Sequence, residues 1–378
     1  MSAQGLNGLN GRGFTRRATI SDVAERAGTT KSTVSRALNG YPDISSHTRA
    51  RVERVAAELG YSPLSQAQSI RTGRVRSLGF VLQTYDHDSH RPFLAGFLAG
   101  ISRSANAQGW DLTLTTAESQ QATLDVLRRL AVERKADGFI LSRPERNDPR
   151  VSLLLSENIP FVLFGRTNDP TGCSWYDILG EEAMKEAVVR LHGHGHRRIG
   201  FVNGGEHFSY STFRLQGYLE GLKECGLEFD ANLVANNAAT TEQGRRAALD
   251  LLRLELPPTA IVYAVDMAAL GLYRAAEEIG LEIGRDISVI AYDGIPEGLF
   301  AHPPLTTFSV DRVRAGERLA TQLINRICGA ESDSQRETER AVLLKRNSDR
   351  PPIRSSEEFA VCLSRTAQLQ LSEKKEID

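Results

Sequence analysis

The stretch Thr19-Ile20-Ser21-Asp22-Val23-Ala24-Glu25-Arg26-Ala27-Gly28-Thr29-Thr30-Lys31-Ser32-Thr33-Val34-Ser35-Arg36-Ala37-Leu38-Asn39-Gly40 reads as two short helices joined by a tight turn. Thr19 and Asp22 have the spacing of a capping box, and Ile20, Val23, Ala24 and Ala27 recur at i, i+3, i+4 and i+7, the apolar stripe of one helix. Gly28 breaks it. Thr29 and Thr30 supply a turn with a hydroxyl N-cap, and a second helix follows with Val34, Ala37 and Leu38 inward. Lys31, Ser32, Ser35 and Arg36 are left facing outward. Long cations reach guanine edges or phosphates, and small hydroxyl residues permit close approach to a groove, so this face is built to read DNA. Thr19, Thr30, Thr33 and Asn39 join it as candidate DNA contacts.

Asn39-Gly40 ends the second helix, and Tyr41-Pro42 turns the chain. Ser45 then caps a third helix whose apolar set is Val52, Val55, Ala56 and Leu59, with Gly60 as its stop. Residues 19–62 therefore form a helix-turn-helix headpiece, followed by a linker over 63–75. Residues 1–76 hold 12 Lys/Arg and 5 Asp/Glu, a balance of +7; the 378-residue chain as a whole is at −1, so the rest carries −8. That asymmetry assigns the nucleic acid to the N-terminal module and not to the acidic body. Residues 1–18, with Gly5, Gly8, Gly11 and Gly13, read as a disordered leader.

From about residue 76 the pattern changes to alternating strands and helices. Buried-strand candidates are 78–83, 112–115, 138–142, 161–164, 199–202, 260–265 and 287–292. Repeated βα units predict an α/β fold with parallel sheets covered on both faces, and ligands at the carboxyl ends of the strands. Gln83, Ser142, Arg143 and Arg166 stand at such ends. Residues 351–378 read as a polar tail without coiled-coil heptads. No apolar run is long enough for a secretory signal or a membrane span, which predicts a cytoplasmic protein with no membrane partner. Cys173, Cys225, Cys328 and Cys362 are scattered and predict free thiols.

Residues 19–73 resemble the headpiece of the LacI/GalR family of bacterial transcriptional repressors, in the runs TISDVAERAG, KSTVSRALNGYP, SSHTRARV, AELGYSP and SIRTG. The resemblance implies a homodimer on a pseudo-palindromic operator, with the helix beginning near Lys31 in the major groove. It also implies that the segment after Tyr61-Ser62-Pro63 folds into a hinge helix on DNA, with Ala67 and Ile70 at the minor groove. Leucine is usual at the wedge position, and the β-branch of Ile70 is stiffer there. The resemblance continues to about residue 350. There it implies a core like the type I periplasmic sugar-binding proteins, with two subdomains joined by three crossings and an effector in the cleft between them. The first subdomain is expected over about 76–170 and 309–332, the second over about 171–308 and 333–350. Arg214, in Ser211-Thr212-Phe213-Arg214-Leu215-Gln216-Gly217-Tyr218, matches the family's effector-binding arginine. Asp293, in Val289-Ile290-Ala291-Tyr292-Asp293, matches an aspartate that accepts from ligand hydroxyls, and Trp175 falls where the family has a pocket aromatic. Asp266 matches an aspartate read as structural.

The expected function is repression released by a small effector. A sugar leads, because of Arg214 and Asp293 with Trp175, and Leu141-Ser142-Arg143 and Phe164-Gly165-Arg166-Thr167 resemble segments of regulators of α-glucoside and related disaccharide uptake, which implies a ligand of that kind. A corepressor-dependent regulator that binds a nucleobase or another non-sugar metabolite stays open as the alternative. His192-Gly193-His194-Gly195-His196 looks like a metal tract, but no second ligand cluster or carboxylate triad accompanies it, so no metal is expected. Arg198 stands where a dinucleotide fingerprint needs its third glycine. There is no Gly-x-Ser-x-Gly elbow, phosphate loop or His-Glu-x-x-His, so neither a cofactor nor enzymatic activity is expected.

Overall fold

Local capping and apolar spacing coincide at three places near the N-terminus, and helices form at each. The structure, a computed structural model, describes residues 18–61, 73–84 and 92–365, and the chain divides at Val75 and Arg76 into two units. The leader up to residue 17, Ala67 and Ile70 with most of the linker, and residues 366–378 of the tail lie outside the described residues. In the first unit the helices are α1 (Ile20–Arg26), α2 (Lys31–Leu38) and α3 (Ser46–Glu58). Thr19 and Asp22 close a capping box: the Thr19 N–H donates to Asp22 Oδ2 at 2.6 Å and the Asp22 N–H to Thr19 Oγ1 at 3.4 Å. Thr30 Oγ1 accepts from the Thr33 N–H at 3.1 Å, and Ser45 Oγ from the Thr48 N–H at 3.2 Å. Each cap stabilises its helix by about 1 kcal/mol, which matters because helices this short are not stable alone. Val23, Ala24, Val34, Ala37, Val52 and Val55 are buried together and form the core that holds them.

In the second unit, alternate residues of each strand serve different helix layers, as the period of two dictates. β1 (Ser77–Gln83), β3 (Gly138–Ser142) and β4 (Phe161–Phe164) send Phe80, Ile140 and Val162 to a central cluster and Val81, Leu141 and Leu163 to an outer one. β6 (Ile199–Val202), β8 (Ala260–Tyr263) and β9 (Ser288–Asp293) divide Phe201, Val262 and Ile290 from Val202, Ile261 and Val289 in the same way. The remaining strands are β2 (Asp111–Ala117), β5 (Trp175–Ile178), β7 (Val234–Ala235), β10 (Thr306–Ser309), β11 (Arg336–Glu339) and β12 (Val342–Leu344). Two six-stranded sheets result, ordered β11-β5-β4-β3-β1-β2 and β12-β10-β9-β8-β6-β7. Neighbours are parallel except β10 and β12. Helices α4 (Pro92–Ala107), α5 (Gln120–Val132) and α6 (Pro149–Ser156) belong with the first sheet. α7 (Gly180–Gly193), α8 (Ser209–Glu224), α9 (Thr241–Leu252), α10 (Asp266–Glu278) and the short α11 (Glu297–Phe300) belong with the second. α12 (Arg312–Ile327) returns to the first and packs on α4.

Two expectations are corrected. Boundaries at 170 and 332 assign β5 and β11 to the second subdomain, yet both strands pair in the first sheet, so the chain crosses after Ile178, Ser309 and Glu339. Trp-Tyr-Asp-Ile and Arg-Glu-Thr-Glu hold a single aliphatic residue between them, and a strand at a sheet margin carries little apolar signal. Nor do residues 351–365 form a loose tail. Residues 356–365 are helical, Phe359 is fully buried in the outer cluster of the second sheet, and Arg354 meets Asp286 at 2.6 Å.

The His-rich segment ends inside this fold. His196 is buried, with Nδ1 2.8 Å from Thr259 Oγ1 and Nε2 2.9 Å from the Arg350 carbonyl, so both ring nitrogens are committed to protein partners. Burial brings its pKa from 6.5 down to about 4. The folded state then keeps a neutral imidazole where the unfolded chain takes up a proton. The stability this contributes is complete above pH 6.5 and is lost as pH falls toward 4. Between about pH 8 and about pH 5 the expected loss is about 2 kcal/mol. Urea unfolding of the wild type and of His196→Gln at both pH values measures it as the difference between their pH responses; equal responses would refute it.

Candidate functional site

In the first unit, α2 exposes Lys31, Ser32, Ser35 and Arg36 on one side and buries Val34 and Ala37 on the other. Thr19, Thr30 and Thr33 are occupied in the caps, and Asn39 Nδ2 closes the helix end by donating to the Ser35 carbonyl at 2.6 Å. Arg36 pairs with Asp43, and its guanidinium lies 5.0 Å from the Tyr41 ring centre. Both partners of this pair are about half exposed, so water screens it and the guanidinium can exchange to another acceptor at little cost. Tyr61 packs against the small core, where burial pushes its phenol pKa up.

In the second unit, the carboxyl ends of the two sheets face each other. The loop after β3 meets the loop after β6: the Ser209 N–H donates to the Pro144 carbonyl at 2.9 Å, the Arg146 N–H to the His207 carbonyl at 3.1 Å, and Glu145 and Phe208 form an antiparallel bridge. Buried Asp148 pairs with Arg150 at 2.7 Å, and Arg150 also donates to the Ser142 and Arg143 carbonyls at 3.2 and 3.1 Å. These bonds brace Arg143 at a φ of 51°, with its guanidinium 5.9 Å from the Phe208 ring across the cleft. Ser142 and Gln83 are half-buried at the ends of β3 and β1.

Arg214 comes from the second turn of α8. Its Nη1 donates to the Ala264 carbonyl, and its guanidinium carbon lies 4.6 Å from the Tyr210 ring centre and 3.9 Å from that of Tyr292. Stacking of this kind fixes the plane of the fork and leaves its edge for hydrogen bonds. Asp293 ends β9 at a φ of 131°, a conformation that costs free energy outside glycine. Its neighbours hold it there. Fully buried Asp266 accepts from the Thr307 hydroxyl at 2.6 Å and the Ile295 N–H at 2.9 Å, while Arg312 donates to the Gly294 carbonyl at 2.7 Å. Burial raises the Asp293 pKa against the pull of Arg214, Arg143 and Arg312. Burial first, then the Asp293 charge, push Asp266 up to about 7. One carboxyl among guanidiniums provides acceptor and donors in a single cleft.

Two residues expected at an effector are committed elsewhere. Arg166 pairs with Asp177 and Glu181, and its guanidinium lies 4.4 Å from the Phe213 ring centre, so it ties the first sheet to α7 and α8. Burial raises the Asp177 pKa to about 6 even with Arg166 beside it. Trp175 packs on the outer cluster of the first sheet, level with Leu163 and 4.5 Å from the Arg336 guanidinium. It begins β5, whereas the cleft opens at the carboxyl ends of parallel strands, so it is no pocket aromatic. Among the described residues, Phe208, Tyr210, Phe213 and Tyr292 are the aromatics that lie against Arg143, Arg214 and Arg166. Tyr210 stands four residues before Arg214, the same-face spacing of a helix, and that spacing is a signal the sequence carries; Phe208 has none.

Residues 19–64 match bacterial regulatory proteins of the lacI family, and residues 76–347 match the periplasmic binding proteins and sugar binding domain of the LacI family. The HTH-type transcriptional regulator AglR of Rhizobium meliloti (strain 1021) is 37% identical over 348 residues, which cover 89% of this chain and 96% of that protein. The HTH-type transcriptional repressor CytR of Escherichia coli (strain K12) is 31% identical over 313 residues, 82% of this chain and 90% of its own length. Among solved structures, a complex of the transcriptional regulator CelR with cellobiose is similar at 29% identity and a TM-score of 0.68, over 88% of this chain and 100% of that one. Among the described residues, no helix is long and apolar enough to cross a membrane.

Proposed function

The chain belongs to the LacI family of bacterial regulatory proteins, and we propose that it is a homodimeric transcriptional repressor released from its operator by a sugar. The observation that carries this reading is Arg214, braced against Tyr210 and Tyr292 beside the Asp293 carboxyl, in a chain that also presents the cationic face of α2. A helix-turn-helix reads only a few base pairs, so twofold symmetry in the protein calls for inverted half-sites in the operator. Lys31, Ser32, Ser35 and Arg36 contact bases and phosphates, with Thr19, Thr30, Thr33, Asn39 and Tyr61 around them and Ala67 and Ile70 in the hinge. Arg214 and Asp293 bind the effector from the second subdomain, and Gln83, Ser142 and Arg143 from the first. Residues 19–62 act as headpiece, 63–75 as hinge and 76–350 as effector core, in the cytoplasm where operator DNA lies. The relatives it resembles are transcriptional regulators, and no catalytic role is assigned to it. The relative that carries cellobiose supports a saccharide over a nucleobase.

The test titrates operator-bound protein with maltose, sucrose, trehalose and cellobiose. One of them is expected to release the operator at concentrations that also raise the protein's melting temperature, with two inverted half-sites protected in footprinting. A sugar that tightens operator binding would make the protein corepressor-dependent. Stabilisation by a purine and by no sugar would establish the nucleobase alternative.

A further inference from the structure

We infer that Gly180 is a determinant of effector affinity: its missing side chain gives the Arg214 guanidinium the room to stand where it meets a neutral saccharide. The inference rests on the sugar reading above and names what that site selects.

Gly180 is buried at the first position of α7, just past the first crossing between subdomains. Its backbone does not call for glycine, since it is absent from the positions with positive φ, and glycine is a poorer helix former than alanine. What the position lacks room for is a side chain. A Cβ there would stand 3.0 Å from Arg214 Nε and 3.1 Å from Arg214 Cγ. That guanidinium has little freedom to yield, because Nη1 is bonded to the Ala264 carbonyl and the plane rests against Tyr210 and Tyr292. Tyr210 is fixed in turn: a Cβ on Gly204 would lie 2.3 Å from its hydroxyl.

The edge that lies against Gly180 is a donor in want of an acceptor. Arg214 Nε is buried with no protein partner, and a buried donor in this state is completed by a ligand or a water. The next residue carries the complementary group. Glu181 gives one carboxylate oxygen to Arg166, while Oε2 is buried with no donor. A vacant donor and a vacant acceptor on adjoining elements fit hydroxyl groups, which accept and donate. They do not fit a phosphate or a carboxylate, which only accept and would leave Glu181 Oε2 without a donor. The geometry therefore points to an uncharged sugar over a sugar phosphate or sugar acid.

The test uses the full-length protein and its Gly180→Ala variant, titrated calorimetrically with maltose, sucrose, trehalose, cellobiose and glucose 6-phosphate, with thermal unfolding alongside. One neutral sugar should bind the wild type, and glucose 6-phosphate should bind at least about tenfold more weakly. Gly180→Ala should weaken the neutral sugar by about tenfold or more while its melting temperature falls by no more than about 4 °C, because the clash is with a side chain and not with backbone. Unchanged affinity in a folded variant overturns the inference and leaves the sugar reading standing. So does a loss of affinity that comes with a larger fall in melting temperature, which marks general damage, and so does preferred binding of glucose 6-phosphate. If none of the neutral sugars binds the wild type, the sugar reading falls and takes this inference with it.

Discussion

Arg214→Ala is expected to weaken sugar binding by at least about a hundredfold, or about 3 kcal/mol, so that no attainable sugar concentration releases the operator. The side chain offers a forked donor whose plane is held by Tyr210 and Tyr292 and by the Ala264 carbonyl, and alanine removes donor, charge and stacking surface together. It also leaves the Asp293 carboxyl without the first of the cations that oppose its burial, so the acceptor half of the site is driven further toward its neutral form. Arg214→Lys should recover little of the loss, because an ammonium keeps the charge but presents neither the planar fork nor the stacked face. Titration of both variants with the sugar that binds the wild type decides the matter. An alanine variant within tenfold of wild-type affinity would move the effector out of this cleft. By linkage, whatever factor separates sugar affinity in the free and operator-bound wild type must equal the factor by which sugar weakens operator binding.

Gly217→Ala should unfold the second subdomain at markedly lower denaturant, with a loss of about 3 kcal/mol. The reason is backbone against backbone. A Cβ on Gly217 would land 1.9 Å from the Glu181 carbonyl oxygen, so α8 could remain helical only by moving away from α7. Helix propensity alone predicts the opposite, a gain of about 1 kcal/mol for alanine at an interior position, and the two accounts are thereby separated in sign. Urea unfolding that shows a stabilised variant would refute the close crossing of α7 and α8. Because that crossing sets Gly180 against Arg214, sugar binding should fail in this variant as well, and in contrast to Gly180→Ala it should fail together with a large loss of stability.

The headpiece is legible residue by residue because everything that makes it is local. Thr19 with Asp22, Thr30 with Thr33 and Ser45 with Thr48 are caps closed over three residues, and Gly28, Gly40 and Gly60 take the positive φ that ends each helix. The strands 138–142, 161–164 and 199–202 are likewise read to the residue, since a buried parallel strand is an apolar run bounded by polar turns. Arg214 and Asp293 come from motif resemblance, and Asp266, read as structural, is the buried acceptor that holds the turn after Asp293.

What local sequence could not decide is which side chains meet across long separations. Trp-Tyr-Asp-Ile and Arg-Glu-Thr-Glu become strands of the first sheet only because each finds the other, 161 positions away, as Arg336 pairs with Trp175. That pairing lays Trp175, half-buried, against the outer cluster of the first sheet and Arg336 onto its ring. Arg166 looks like a ligand fork until the fold sets Asp177, Glu181 and Phe213 around it. Gly180 looks like a helix start until Arg214 is laid against it. Pattern and capping report energies that act within a few residues along the chain, whereas burial, ion pairing and the close approach of two backbones are set by register between sheets and helices and exist only once the chain has folded.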